Sequence, residues 1–167
     1  MKIRNGFVSN SSSSSFVLCF KKKPKNVSEI KEIIWPREEN IFSDSGFLSV
    51  WQAAVSVFEQ ISDKKPLTIK DMERFFEGSW DVNNEVEAII GGKPNYDAPE
   101  DVWQKYYKEL HKKTKKEAKK LAKEFMKEHK KHKMFSVGYS DHDGPFNSTM
   151  EHGDVFSNIE HVRFSHH

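Results

Sequence analysis

Histidine and carboxylate side chains are concentrated in the last 27 residues of the chain, where five of its eight histidines occur. Imidazole nitrogens and carboxylate oxygens are the groups with which proteins bind zinc, manganese and other divalent transition metals. The sequence therefore predicts a site for a divalent transition metal, either zinc or manganese. The candidate ligands are Asp141, His142, Asp143, His152, Asp154, His161, His166 and His167.

Glu151 stands next to one of these candidate ligands. A carboxylate that does not bind the metal can act as a general base toward a metal-bound water molecule. The sequence leaves open whether the protein is an enzyme. If it is one, we predict a metal-dependent hydrolase with Glu151 as the catalytic residue.

The two halves of this cluster meet only if the strands that carry them end at the same edge of a sheet. Asp141 follows a predicted strand over 134–140, and His166 follows another over 161–165. Parallel strands would place both halves at one carboxyl edge, whereas antiparallel strands would separate them. The sequence leaves both arrangements open, although the connection 141–160 is short for a crossover helix.

The same residues also have a structural interpretation. Asp141 to Pro145 has the composition of a turn, and the cluster lacks the His-Glu-x-x-His spacing of a common zinc motif. His166 and His167 could be the start of a purification tag. We therefore keep structural or surface histidines as an alternative to a metal site.

Three further histidines, His111, His129 and His132, continue the apolar face of a predicted long helix. Histidines in such positions are usually hydrogen-bonded residues at the boundary of the core, and we predict that role for them. The alternative is that His129 and His132, one turn apart, join the C-terminal cluster, since the predicted strand starts directly after them. They would then lie near the opposite end of strand 134–140 from Asp141.

The long helix is also strongly basic. Between Gln104 and Lys133 there are 13 lysines and four glutamates, a net charge of +9. Because the whole chain carries +2, the remaining residues carry −7. Such a face is either simply solvated or a binding surface for nucleic acid, the ribosome or an acidic protein. The candidate contact residues are Lys112, Lys113, Lys116, Lys119, Lys120, Lys123 and Lys127.

The composition suits a single globular domain over residues 1–167, with 36% hydrophobic and 31% charged residues. No segment approaches the roughly 20 apolar residues of a membrane span. The lone cysteine, Cys19, lies in an apolar run and favours a reducing compartment, so we expect a cytoplasmic protein. We also expect Cys19 to be buried, with the pKa of its thiol raised.

The elements that would position these residues can be read from periodicity and capping signals. We predict strands over 16–20, 134–140 and 161–165, and a helical middle over 26–133. The predicted helices run from Asn26 to Trp35, from Gly46 to Ile61, over 68–77, 82–90 and 99–133, and over 147–152. The predicted N-caps of the first five are Asn26, Ser45, Thr68 (in a capping box with Asp71), Asp81 and Asp97. The fold class is α+β or α/β, with a small sheet built from both ends of the chain.

The segment Gly6 to Phe16 reads Gly-Phe-Val-Ser-Asn followed by five serines and Phe16. With the preceding Met-Lys-Ile-Arg-Asn, it resembles the opening of many otherwise dissimilar, uncharacterised proteins of tailed phages and prophages. The resemblance covers about a tenth of the chain. It implies a phage-type origin, a small accessory role and a location in the host cytoplasm, and it brings no catalytic residues with it. The serine-rich arm, residues 1–15, would be ordered if it lay along the edge of the sheet, where it would also protect that edge from pairing with other chains.

Overall fold

The N-terminal strand, β1, forms the centre of the main sheet. The computed structural model describes residues 13–43, 46–152 and 154–166. The elements are β1 (Ser13–Phe20), α1 (Val27–Ile34), β2 (Asn40–Ser43), β3 (Gly46–Ser49), α2 (Val50–Ile61), α3 (Ile69–Glu77), α4 (Trp80–Ile89), α5 (Glu100–Glu128), β4 (Lys133–Ser140), a 3-10 turn (Asp141–Asp143), α6 (Pro145–His152) and β5 (His161–His166).

The main sheet has the strand order β4-β1-β5, and β1 is antiparallel to both neighbours. Ser13 pairs with Ser140 on one side and with His166 on the other. It follows that β4 and β5 run in the same direction and end at the same edge of the sheet. Both ends of the described chain therefore meet in one sheet, which confirms the predicted α+β fold.

Helices cover both faces of this sheet because β1 carries apolar side chains on both of its faces. Phe16, Leu18 and Phe20 pack in one core with residues of α1, α2 and α6. Val17 and Cys19 pack in a second core with residues of α3, α4 and α5. Such a doubly buried strand appears in the sequence as a continuous apolar run rather than as an alternation.

Two capping predictions are confirmed. The Asn26 side chain accepts a hydrogen bond from the Glu29 amide at the start of α1. Thr68 and Asp71 form a complete capping box at the start of α3. By contrast, α4 begins at Trp80 after Ser79, and α5 begins after Pro99 without a side-chain cap. The capping roles predicted for Asp81 and Asp97 are therefore wrong.

The predicted helix over 46–61 is wrong at its start. Residues Gly46–Ser49 form β3, which pairs with β2 in a two-stranded sheet, and the helix begins only at Val50. Ser45, its predicted cap, lies outside the described residues. The predicted long helix ends at Glu128, five residues earlier than expected, because a turn at 129–132 leads directly into β4.

The end of the serine run is part of the sheet. Ser13, Ser14 and Ser15 begin β1, which extends the predicted strand by three residues. They lie in the central strand, so the expectation that this part of the arm would follow a sheet edge is wrong. Residues 1–12 lie outside the described part of the chain.

Candidate metal centres at the two ends of the sheet

Two groups of potential metal ligands lie at opposite ends of the main sheet. In the Glu151 group, which comprises Asp141, Glu151 and His152, one ligand atom from each residue lies within 4.8 Å of the others. The two-histidine group comprises His129, His132 and Glu160 and meets the same distance limit. The first lies where β4 and β5 end, and the second lies where they begin.

The Glu151 group is assembled by the segment that follows β4. The 3-10 turn carries Asp141, and Gly144, at φ 92°, lets the chain reverse into α6. The last turn of α6 then carries Glu151 and His152. The indole of Trp35 donates a hydrogen bond to the Val155 carbonyl at 2.7 Å, which anchors the chain after α6 to the core.

Glu151 is held in a buried polar network with the serine run. Its side chain has no exposed surface, and its Oε1 accepts a hydrogen bond from the Ser14 hydroxyl at 3.1 Å. Arg163 Nε in turn donates to Ser14 Oγ at 3.0 Å, and Arg163 Nη2 lies 3.9 Å from Glu151 Oε1. His152 Nε2 lies 3.8 Å from Glu151 Oε2. Ser14 therefore connects β1 to α6 and β5.

This network makes the Glu151 group a poor cation site. A bound metal ion would compete with the positive charge of Arg163 for the same carboxylate. A buried carboxylate is stabilised by paired charge and hydrogen bonds, and the contacts of Glu151 Oε1 with Ser14 and Arg163 supply part of that stabilisation. The proposed role of Glu151 as a general base stays a prediction.

The structure places the other predicted ligands in different surroundings. His142, Asp143 and Asp154 belong to neither group of three among the described residues. His161 starts β5, where it pairs with Leu18 at the far end of the sheet, and its ring lies against Phe16 and Phe156. His166 ends β5, but its side chain and the whole of His167 lie outside the described residues.

The two-histidine group is built by the turn after α5. The His129 amide donates to Phe125 O at 3.0 Å, which caps the helix, and the His132 amide donates to His129 O at 2.8 Å. This tight turn brings the two imidazole rings within 5.6 Å of each other, centroid to centroid. Glu160 precedes β5, and its carbonyl accepts a hydrogen bond from the Cys19 amide at 2.9 Å. That bond fixes the backbone of Glu160 beside the turn.

The side chains of this group already approach one another. His129 Nδ1 lies 2.9 Å from Glu160 Oε2, and His132 Nε2 lies 4.0 Å from the same oxygen. Both histidine side chains are about four-fifths buried, at 17% and 20% exposure. His132 Nδ1 is buried and has no hydrogen-bond partner among the described residues. The C-terminus of α5 also lies here, and its partial negative charge favours a cation.

A groove of about 860 Å³ opens beside this group. His132 and Glu160 lie on its wall together with Cys19 and Phe20. Cys19 is 4% exposed, and its burial, together with the nearby Glu160 carboxylate, raises the pKa of the thiol to about 12. Both expectations for Cys19 are confirmed, and at neutral pH the thiol is protonated.

The boundary position predicted for the three helical histidines is confirmed for His129 and His132, which are largely buried. Only His129 lies within hydrogen-bonding distance of Glu160, because His132 Nε2 is 4.0 Å from the same oxygen. Of the C-terminal cluster that the alternative interpretation named, the two histidines approach Glu160. His111 is 71% exposed and lies 3.9 Å from Glu77 Oε1, so its predicted place at the core boundary is wrong.

The lysine face of α5, defined by the seven candidate lysines, lies on the solvent side of the helix. Its residues line two shallow depressions along the surface. Among the described residues, salt bridges reach only two of the seven, from Glu109 to Lys113 at 3.1 Å and from Glu117 to Lys120 at 2.9 Å. The other five are in no salt bridge within those residues, and Glu124 lies beside three of them, Lys116, Lys119 and Lys123.

Comparison of the chain with protein-family models, curated proteins and solved structures gives no match. Within the described ranges, no helix is both long and apolar enough to cross a membrane. Arguments about function therefore rest on the geometry of the two groups and of the lysine face.

Proposed function

We propose that the protein binds a divalent transition metal ion at the two-histidine group, with zinc as the best fit. The observation that carries the proposal is the approach of His129, His132 and Glu160 to within 4.8 Å, ligand atom to ligand atom. This proposed site lies at the opposite end of the sheet from the cluster predicted around Asp141. Of the last 27 residues, only Glu160 belongs to it.

The donor set supports zinc. Two histidines and one carboxylate are a known protein ligand set for catalytic zinc, in which a fourth position remains open to water or substrate. Ligand atoms about 2.0–2.1 Å from a tetrahedral ion lie roughly 3.4 Å apart, so His132 needs only a small side-chain rotation. In the described parts of the chain, Glu160 forms no ion pair with a lysine or an arginine.

If the protein is an enzyme, a zinc-dependent hydrolase remains the reaction class that we propose. The open position would lie toward the groove, because His132 and Glu160 are on its wall. A metal-bound water there would be acidified by the ion. The phage-type origin, the cytoplasmic location and a metal in the Glu151 group stay predictions.

Metal-free protein titrated with cobalt(II), a spectroscopic substitute for zinc, should bind one equivalent and develop visible absorption bands. His129→Ala and His132→Ala should each weaken binding at least 100-fold, because each removes one of three ligands. Zinc at 100 times its Kd should stabilise the wild type by about 2.7 kcal/mol. That stabilisation should raise the Tm by roughly 5–10 °C.

There are two matched controls. His152→Ala changes a histidine of the Glu151 group, and His111→Ala changes an exposed histidine of α5, the helix that ends next to His129. Both should bind cobalt as the wild type does. A double variant, His166→Ala with His167→Ala, removes the terminal pair as a separate source of binding. Loss of cobalt in His152→Ala with retention in His129→Ala would assign the metal to the other end of the sheet. No stoichiometric cobalt in the wild type would reject the proposal.

We hold nucleic-acid binding by the lysine face as a second candidate function, because five of its seven lysines have no salt-bridge partner among the described residues. A helix of 29 residues is about 43 Å long and can follow a phosphate backbone. Binding of this kind releases counterions and weakens steeply with salt.

Fluorescence anisotropy with a labelled DNA duplex should test this candidate. Replacing Lys112, Lys116 and Lys119 together by glutamine should reduce the slope of log K against log salt concentration by about 3, since each phosphate contact contributes about 0.9. Replacing Lys65, Lys70 and Lys93 by glutamine removes the same charge elsewhere and should leave the slope unchanged. Equal slopes for the two triple variants would count against the lysine face.

A further inference from the structure

The groove beside the two-histidine group has the size and lining of a small-molecule site. Its volume of about 860 Å³ lies within the range of pockets that hold such ligands. Phe20 and Ile159 contribute buried apolar surface, and Ile33 contributes an exposed apolar side chain. Polar groups are concentrated at the rim and at the metal site.

The rim of the groove is lysine-rich because the chain leaves β1 through Lys21, Lys22, Lys23 and Lys25. Lys23 is engaged elsewhere, since its ammonium donates to the carbonyls of Ser62 and Lys64 at 2.6 and 2.8 Å. Lys21, Lys22 and Lys25 are exposed and are in no salt bridge within the described ranges. Three ammonium groups therefore remain for an anion at the rim.

Three carboxylates, those of Glu29, Glu32 and Glu160, also line the groove. Against the four lysines of the lining, Lys23 included, they leave the groove without a metal at a formal charge of +1. A divalent ion at the two-histidine group would raise this formal charge to +3 and would offer an open coordination position. Anion binding in the groove should therefore depend on the metal.

We infer that the groove binds a small phosphate-bearing molecule with an apolar body. The phosphate would take the open metal position and contact Lys21 and Lys22, while the apolar part would lie against Phe20, Ile33 and Ile159. Lysine is a common phosphate ligand as a point charge, and the apolar floor favours an aromatic or aliphatic group. This inference rests on the proposed metal site.

Coupling between the two ligands is reciprocal. If the metal strengthens phosphate binding, the phosphate must strengthen metal binding by the same factor. The metal site and the groove would then behave as one binding unit.

The test uses full-length protein loaded with cobalt(II) and titrated with phenylphosphonate, which is not hydrolysed. The cobalt bands should shift in a saturable way, and methylphosphonate should bind about tenfold more weakly because it lacks the apolar ring. Lys21→Gln with Lys22→Gln should weaken phenylphosphonate binding about tenfold without changing cobalt affinity in its absence. Lys65→Gln with Lys70→Gln is the matched control and should have no effect.

The outcomes separate the two proposals. Failure of cobalt to bind would overturn both the metal site and this inference. Cobalt binding without a phenylphosphonate response would overturn the inference alone and leave the metal site in place. A response that the Lys21 and Lys22 variant does not weaken, or one as strong for methylphosphonate, would remove the groove as the ligand site.

Discussion

Replacing Arg163 by methionine is expected to lower the free energy of unfolding by about 3 kcal/mol. Arg163 donates to Ser14 and lies 3.9 Å from the fully buried carboxylate of Glu151. Removing one member of a buried charged network costs roughly 3–5 kcal/mol, and the partial exposure of Arg163 places the expected cost at the lower limit. Urea denaturation monitored by circular dichroism would measure it.

The double variant Arg163→Met with Glu151→Gln is the matched control. Because it removes both charges, it should recover at least 1 kcal/mol relative to Arg163→Met alone. Ser14→Ala should cost about 1–2 kcal/mol, whereas Ser13→Ala, next to it in β1, should cost less than 0.5 kcal/mol. Equal effects of the two serine variants would contradict a specific role for Ser14.

Replacing Phe164 by alanine is expected to cost about 3–5 kcal/mol of unfolding free energy. Phe164 is 1% exposed, and its ring centroid lies 5.4 Å from that of Phe75 and 5.0 Å from that of Phe76. The cavity would lie between β5 and α3, in the second core. Because total stabilities are about 5–15 kcal/mol, this loss is a large share of the free energy of unfolding.

Two other variants serve as controls for Phe164→Ala. Phe164→Leu keeps most of the volume and should cost less than about 1.5 kcal/mol. Phe47→Ala removes a phenylalanine that is 72% exposed and should change stability by less than 0.5 kcal/mol. If Phe164→Ala lowered the free energy of unfolding as little as Phe47→Ala, β5 would not be packed against α3 as described.

Local signals predicted local structure well. Asn26 and Thr68 each cap a helix by accepting a hydrogen bond from the amide three residues further along the chain. Because donor and acceptor are so close in sequence, these bonds could be predicted from spacing alone. The same holds for the apolar run that became β1 and for the burial of Cys19. In each case the physical cause lies within a few residues of the observed feature.

The apolar periodicity over 46–61 predicted the buried face only in part. Of the periodic positions, Leu48 and Ile61 are buried, whereas Phe47 is mostly exposed and Trp51 is half exposed. The buried residues of α2 are Val50, Ala53, Ala54, Val57 and Ile61, and they belong to the same core as Ile30 and Ile34 of α1. The alanines of this face gave no strong hydrophobic signal in the sequence.

The two-histidine group could be predicted only in part. The spacing of His129 and His132 indicated a shared position near the start of β4. Their contact with Glu160 depends on β5 lying across β1 from β4, and the strand order is a long-range property. Glu160 lies directly before the last strand. Its place beside the two histidines could be predicted only once the strand order was known.

The position of β1 at the centre of the sheet has a consequence for how the chain acquires its fold during synthesis. The ribosome makes β1 before either of its partners, and the first of these, β4, follows only after residues 21–132 have been added. At 5–20 residues per second this takes roughly 6–20 s. Throughout that time the apolar run Phe16 to Phe20 has no strand partner from the main sheet. Chaperone capture of nascent chains should therefore be concentrated at this segment, and it should end once β4 and β5 have been made.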